Sequence, residues 1–129
     1  MSRTTFRQEM QEIKDDVLLL GSMVEDAVMK SAEALRDNNV ERSRFAIVND
    51  LYINRKRFEI EATIMSLMAT QQPIARDLRT LAASLDVCTE LERMGDYAKG
   101  IANINIRSGG LSMPVILREI YAMAEKAVD

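Results

Sequence analysis

A regular spacing of apolar residues near the start of the chain constrains the fold more than any other feature. Successive apolar positions lie alternately four and three residues apart: Phe6, Met10, Ile13, Val17, Leu20, Val24 and Ala27. This alternation is the seam of a helix that packs nearly parallel to its neighbours, as helices do in bundles. The sequence therefore predicts an all-α protein that opens with a long, core-facing helix.

Composition favours a helical core and excludes several functions. The 129 residues include nine methionines, which fill irregular gaps between helices, and only five glycines and two prolines. The absence of histidine excludes serine triads and histidine-ligated zinc or copper. The net charge of −3 argues against a nucleic-acid binder, and no apolar run is long enough to span a bilayer. With a single cysteine and no leader pattern, we expect a soluble cytoplasmic protein.

Two breaks define the next helices. Asn38 suits a left-handed helix end and Asn39 suits the cap of a following helix, which is predicted to run from about Val40 to Thr70. Pro73 ends that helix and opens a third. The packing stripe predicted for the second helix is Val48, Leu51, Arg55, Phe58, Ala62, Met65 and Ala69.

The end of the chain predicts a short fourth helix. Its apolar residues repeat the spacing of the first helix: Ile116, Ile120, Met123 and Ala127. The predicted division is an antiparallel three-helix bundle over 1–110 and a fourth helix over 111–129. Because the apolar face of the fourth helix has no partner in the sequence, it either starts a second bundle or packs on another subunit. We therefore expect a homo-oligomer.

The third helix carries acids where its apolar stripe should continue. The stripe reaches Cys88, the next position is Glu92, and Asp96 follows one turn later. Like charges four residues apart repel, so this pair needs a partner. Asp50 and Asn54 of the second helix could complete a site for a hard cation such as Mg²⁺, Mn²⁺ or iron. The alternative is an ion-pair network with arginines: Arg57, Arg76, Arg79 and Arg93.

Two arginines near the start of the third helix are weaker candidates. Arg76 and Arg79 could bind phosphate, or an acidic patch of a partner, because a helix N-terminus attracts anions and arginine binds them in a forked geometry. The alternative is local: Asp77 stabilises the helix N-terminus and the arginines pair with neighbouring acids.

Three motifs resemble those of a known family. Gln71–Pro73, Asp77–Arg79 and Glu90–Asp96 follow one another in the order of the PhoU family, whose pattern is close to RQP, DLR and LERIGD. The resemblance spans nearly the whole chain. It implies one three-helix PhoU repeat followed by the start of a second repeat.

The resemblance also implies a function, which is regulatory rather than enzymatic. PhoU proteins repress the phosphate-starvation response as adaptors between the ATPase subunit of a phosphate ABC transporter and a sensor histidine kinase. Some members bind multinuclear iron or another metal through acidic motifs. In this sequence those motifs fall on Glu92 with Asp96 and on Asp50 with Asn54.

Four differences from the family pattern weaken the metal interpretation. Asn54 stands where many members have aspartate, and Arg57 replaces a frequent acid. Tyr97 and Gly100 replace a histidine and an asparagine that are frequent in the family. Two alternatives to the adaptor stay open at this point. One is a metal-binding bundle whose carboxylate cluster serves storage or catalysis, and the other is an accessory domain of a different ion transporter.

Overall fold

Three long helices form the bundle. The computed structural model describes residues 3–109 and 121–127. Helix α1 spans Arg3–Arg36, α2 spans Val40–Thr70 and α3 spans Ala75–Arg107, and each packs against the other two. Because the connections between them are only three and four residues long, consecutive helices run antiparallel. The predicted all-α three-helix bundle is confirmed.

The first connection forms as its two asparagines predict. Asn38 adopts a left-handed conformation with φ of 56°. The Asn39 side chain accepts a hydrogen bond of 3.0 Å from the backbone N–H of Arg42, which caps α2. In the second connection α3 begins at Ala75, two residues beyond the predicted start at Pro73.

The core lies along the axis of the bundle. Its largest fully buried aliphatic side chains come from all three helices: Leu20, Val24, Val28, Ile64 and Leu81. The stripe predicted for α1 is confirmed, because Phe6 and Val17 pack against this core and the other five members are buried in it. Full burial of each large aliphatic side chain contributes about 1.5–3 kcal/mol.

The packing stripe predicted for α2 is wrong. All seven of its members are exposed, Leu51 at 65% and Phe58 at 59%. The residues that pack inward lie on the opposite side of the helix: Ile53, Ile60, Ile64 and Leu67. Two apolar stripes run along α2, and periodicity alone does not tell which one faces the core. The inward side also carries Asp50 and Arg57, so it reads as polar in the sequence.

The buried amide of Asn105 ties the end of α3 to the first connection. Its Nδ2 donates to the carbonyl oxygens of Ala34 and Asn39, at 3.2 and 3.1 Å, and to Oγ of Ser43 at 2.7 Å. Since Ala34 belongs to α1 and Ser43 to α2, this one side chain joins three helices at the same end of the bundle.

A short fourth helix, α4 at 121–127, packs on the same bundle. Ala124 is fully buried in the core, and Arg36 of α1 lies over the Tyr121 ring at 5.0 Å and donates to its hydroxyl at 3.1 Å. Of the predicted apolar face, Met123 and Ala127 are exposed. Ile116 and Ile120 lie outside the described residues. The division at 110 and self-association through this face stay predictions.

Among residues 3–109 and 121–127, no helix is both long enough and apolar enough to cross a membrane.

Candidate functional site

An ion-pair network joins α2 to α3, and its central member is Arg57. This side chain is 11% exposed and forms ion pairs with Glu61 of α2 at 2.9 Å and with Glu92 of α3 at 3.2 Å. Its second terminal nitrogen lies 3.4 Å from Oδ1 of Asn54. The guanidinium also lies 4.3 Å from the centre of the Phe58 ring. The charge of Arg57 is therefore fixed between carboxylates of two helices.

Asp50 lies beside this network and is more deeply buried than the other acids there. Its carboxylate accepts a hydrogen bond of 3.0 Å from Nδ2 of Asn54 and lies 4.0 Å from Nζ of Lys99. Gly95 of α3 lies against this carboxylate, since a Cβ at that position would be in ordinary van der Waals contact with Oδ1 of Asp50, at 3.6 Å. Burial raises the pKa of Asp50, and the charge of Asp96 adds to this effect while Lys99 opposes it.

The structure thus brings most of the predicted metal ligands to one face. Asn54 and Glu92 contact Arg57, and Asp50 is hydrogen-bonded to Asn54. Asp96 is exposed, and its charge acts on Asp50. Within 3–109 and 121–127, no group of three or more acidic or cysteine side chains is arranged to hold a metal ion. The guanidinium of Arg57 supplies the positive charge between the carboxylates. The geometry fits the ion-pair alternative, and metal binding stays a prediction.

A second ion pair fixes the start of α3. Both terminal nitrogens of Arg7, in α1, donate to the carboxylate oxygens of Asp77 at 2.8 and 2.7 Å. Asp77 is only 4% exposed. The hydrogen bonds from Arg7 hold the pKa of Asp77 below its usual range. Asp77 therefore joins two helices in addition to stabilising a helix N-terminus.

Arg76 and Arg79 flank this pair on the outside of α3. Both are exposed, and neither is in an ion pair with another residue of the described ranges. They present two positive charges within the first two turns of the helix. Their predicted role in anion or partner binding stays a prediction.

Two members of these sites were missed by sequence reasoning. Arg7 lies 70 positions from Asp77, and no local pattern connects them. Lys99 had a weak signal, since it follows Asp96 by three positions and therefore shares its side of α3. Arg57 is one of the four arginines that the sequence offers as partners of the acid pair, and the structure pairs it with Glu92.

Taken together, fold and site describe a three-helix bundle in which ion pairs join α2 to α3 and α1 to α3. The model of the PhoU domain matches residues 17–104, which is more than half of the chain. The chain therefore belongs to the PhoU domain family, and the resemblance carried by its three motifs is confirmed.

Curated relatives agree with this assignment. The chain is 35% identical over 127 residues to a "Phosphate-specific transport system accessory protein PhoU homolog" of Clostridium acetobutylicum, covering 98% of this chain and 58% of that protein. It is 33% identical over 125 residues to the Synechocystis protein of the same description, covering 97% and 56%. The chain thus spans about half the length of these relatives. No solved structure matched it.

Proposed function

We propose that this chain acts as a non-enzymatic accessory component of a phosphate transport system. The observation that carries the proposal is the match of the PhoU domain to residues 17–104. Its relatives in Clostridium acetobutylicum and Synechocystis are described as phosphate-specific transport system accessory proteins, which supports the same role. The exposed charges of α3 support it further, because surface charges select a partner by complementarity: Glu90, Arg93 and Asp96.

In the proposed mechanism the bundle is a cytoplasmic adaptor and a negative regulator. One face binds the ATPase subunit of a phosphate ABC transporter and another binds a sensor histidine kinase. The adaptor favours the signal-off state of the kinase because it binds that state more tightly. The outer charges of α3 are the contact residues proposed for the first partner: Glu90, Glu92, Arg93 and Asp96.

Binding measurements on the purified ATPase subunit test this assignment. Asp96→Lys reverses an exposed charge of the proposed face, and Glu12→Lys makes the same change on the exposed side of α1. We expect Asp96→Lys to weaken binding at least about tenfold, or 1.4 kcal/mol, and Glu12→Lys to leave it unchanged. Failure of the unaltered chain to bind the ATPase subunit or the kinase would contradict the proposal. Binding only to the ATPase of a different ion transporter would support the alternative of another accessory domain.

The first turns of α3 offer a second proposed contact. Arg76 and Arg79 would bind phosphate or an acidic patch of the kinase, because both are exposed near a helix N-terminus. The double variant Arg76→Ala/Arg79→Ala should lose this binding in calorimetry with inorganic phosphate or with the kinase. Arg107→Ala, an exposed change at the other end of α3, is the matched control. If the double variant and the Arg107→Ala control bound equally well, Arg76 and Arg79 would not be part of the binding site.

Metal binding, in storage or in catalysis, is decided by a separate experiment. The resemblance proposes iron, Mn²⁺ or Mg²⁺ at Glu92 and Asp96, with Asp50 and Asn54 in support. In that case mass spectrometry after purification without chelator would find stoichiometric metal, and Glu92→Ala would lose it. The ion pairs of Arg57 give the opposite expectation, because the carboxylates already have a positive partner. We expect less than stoichiometric metal in both proteins.

A further inference from the structure

Oxygen atoms from two helices surround the guanidinium of Arg57. Its Nη1 lies 2.9 Å from Oε1 of Glu61 in α2 and 3.2 Å from Oε2 of Glu92 in α3. Its Nη2 lies 3.4 Å from Oδ1 of Asn54. Carboxylate and amide oxygens are also the ligands that hard cations such as Mg²⁺ and Mn²⁺ prefer. The donor atoms are therefore those of a cation site, and a guanidinium lies at the centre of them.

A metal ion and this guanidinium would compete for the same oxygens. A hard divalent cation takes its oxygen ligands at about 2.0–2.6 Å, so an ion bound here would lie in the space that the guanidinium fills. Two positive charges at such a separation also repel each other. The guanidinium is held from another direction as well, because the ring of Phe58 lies 4.3 Å from Cζ of Arg57 and attracts its charge.

The amide of Asn54 matches an arginine at position 57. Its Nδ2 donates to Oδ2 of Asp50 at 3.0 Å, while its Oδ1 faces Arg57. The donor end of the amide therefore faces the acid and the acceptor end faces the cation. An ionised aspartate at this position has no hydrogen to donate, and it would bring a second negative charge next to Asp50. Asn54 and Arg57 thus act as a matched pair that holds Asp50 without a metal ion.

The acidic motifs that the family resemblance connects with metal fall on the same part of the bundle: Asp50, Asn54, Glu92 and Asp96. The side chains present there do not fit a metal ion, because an arginine already occupies the space between the oxygens. We propose that the guanidinium of Arg57 takes the place of the metal ion, so that a covalently attached cation joins α2 to α3 independently of metal. A chelator cannot remove such a cation. The inference does not depend on which partner the bundle binds.

Titration with Mn²⁺, followed by electron paramagnetic resonance and by thermal unfolding, tests the proposal. The wild-type chain should not bind Mn²⁺ stoichiometrically, and its unfolding temperature should be the same in Mn²⁺ and in EDTA. Arg57→Met removes the guanidinium and leaves the oxygens. It should therefore bind Mn²⁺ stoichiometrically and unfold several degrees higher in Mn²⁺ than in EDTA, because an ion that binds only the folded state stabilises it.

Two controls separate the charge at position 57 from other effects of the substitution. Arg57→Lys keeps a positive charge near the carboxylates, so it should behave as the wild-type chain does. Arg55→Met removes an exposed arginine from the outer side of the same helix and should not respond to Mn²⁺. Arg57→Gln is a second neutral variant, which retains a hydrogen-bond donor for the carboxylates, and it should respond as Arg57→Met does. Circular dichroism measures the helix content of each variant.

Changes of the oxygen donors identify the ligands in the Arg57→Met chain. Addition of Asn54→Asp supplies a further carboxylate and should tighten Mn²⁺ binding at least about tenfold, because affinity rises with the charge of the ligands. Addition of Glu92→Gln removes a carboxylate and should weaken binding by a similar factor. Stoichiometric Mn²⁺ in the wild-type chain that Glu92→Gln removes would overturn the proposal. Folded Arg57→Met and Arg57→Gln chains that ignore Mn²⁺ would overturn it as well, since Arg57 would then be an ordinary ion-pair partner.

Discussion

Two buried aspartates of this bundle have nearly equal exposure and opposite ionisation behaviour. Asp77 is 4% exposed and Asp50 is 6% exposed. Arg7 binds both oxygens of Asp77, and these hydrogen bonds lower its pKa. Burial raises the pKa of Asp50, whose nearest cation, Lys99, is 4.0 Å away. The comparison shows that burial raises the pKa of an aspartate where the nearest cation lies 4.0 Å away, and that two hydrogen bonds from a guanidinium outweigh burial.

The two sites also differ in what their cations do. Arg7 forms an ion pair with one acid, Asp77, at the end of the bundle, whereas Arg57 forms ion pairs with both Glu61 and Glu92 near its middle. Removal of Arg57 would leave Glu61 and Glu92 without a shared cation between α2 and α3. It would also remove one of the positive charges that lower the pKa of Asp50. The α2–α3 site therefore depends on one side chain more than the α1–α3 site does.

The largest expected effect is that of Arg57→Met. This change removes the shared cation while keeping most of the apolar volume, and we expect the free energy of unfolding to fall by about 2–3 kcal/mol. The value lies below that of a fully buried pair because Glu61 and Glu92 are partly exposed. Urea denaturation measures it. Arg93→Met, at a 73% exposed side chain, is the control and should change stability by less than about 0.5 kcal/mol. Equal losses in the two variants would show that the network has no special role.

A smaller loss is expected for Asp77→Asn. The amide cannot replace the two charge-assisted hydrogen bonds from Arg7, so thermal unfolding at pH 7 should shift down by a few degrees. Because the pKa of Asp77 is lowered on folding, its contribution is present above the ordinary range of aspartate and disappears as the pH falls through its folded pKa. The variant and the wild type should therefore converge in acid. A difference that persists at low pH would mean that the loss comes from packing.

The smallest effect, of opposite sign, is expected for Asp50→Asn. Folding raises the pKa of Asp50, so its ionised form opposes folding at neutral pH and this cost disappears as the pH falls through the folded pKa. The neutral amide should leave stability at pH 7 unchanged or slightly increased, by less than about 1 kcal/mol. If Asp50→Asn lowered the unfolding temperature at pH 7 more than Asp77→Asn does, the expected order of the two aspartates would be wrong.

Sequence reasoning succeeded where the pattern was local. The seam of α1 depends on spacing alone, and Asn38 and Asn39 depend on their own backbone preferences, so each was predicted correctly. The sequence predicts that Glu92 has a positively charged partner, because an acid on a packing stripe requires one, but it does not identify that partner. The choice of Arg57 as that partner depends on how α2 is rotated.

The rotation of α2 could not be predicted from one chain. Its two apolar stripes are similar in length, and the more continuous one, Val48–Ala69, faces outward. The inner stripe is interrupted by Asp50 and Arg57, whose burial is stabilised by partners on α3. The pair of Arg7 and Asp77 could not be predicted from the sequence either, because 70 positions separate the two residues and only the fold brings them together.

A carboxyl NMR titration of Asp50 and Asp77 in one sample tests whether burial and the Arg7 hydrogen bonds shift the two acids in opposite directions. We expect Asp50 to titrate above the ordinary range of aspartate and Asp77 below it, with Arg57→Met raising the pKa of Asp50 further. Two aspartates that titrate together, or in the reverse order, would contradict this expectation.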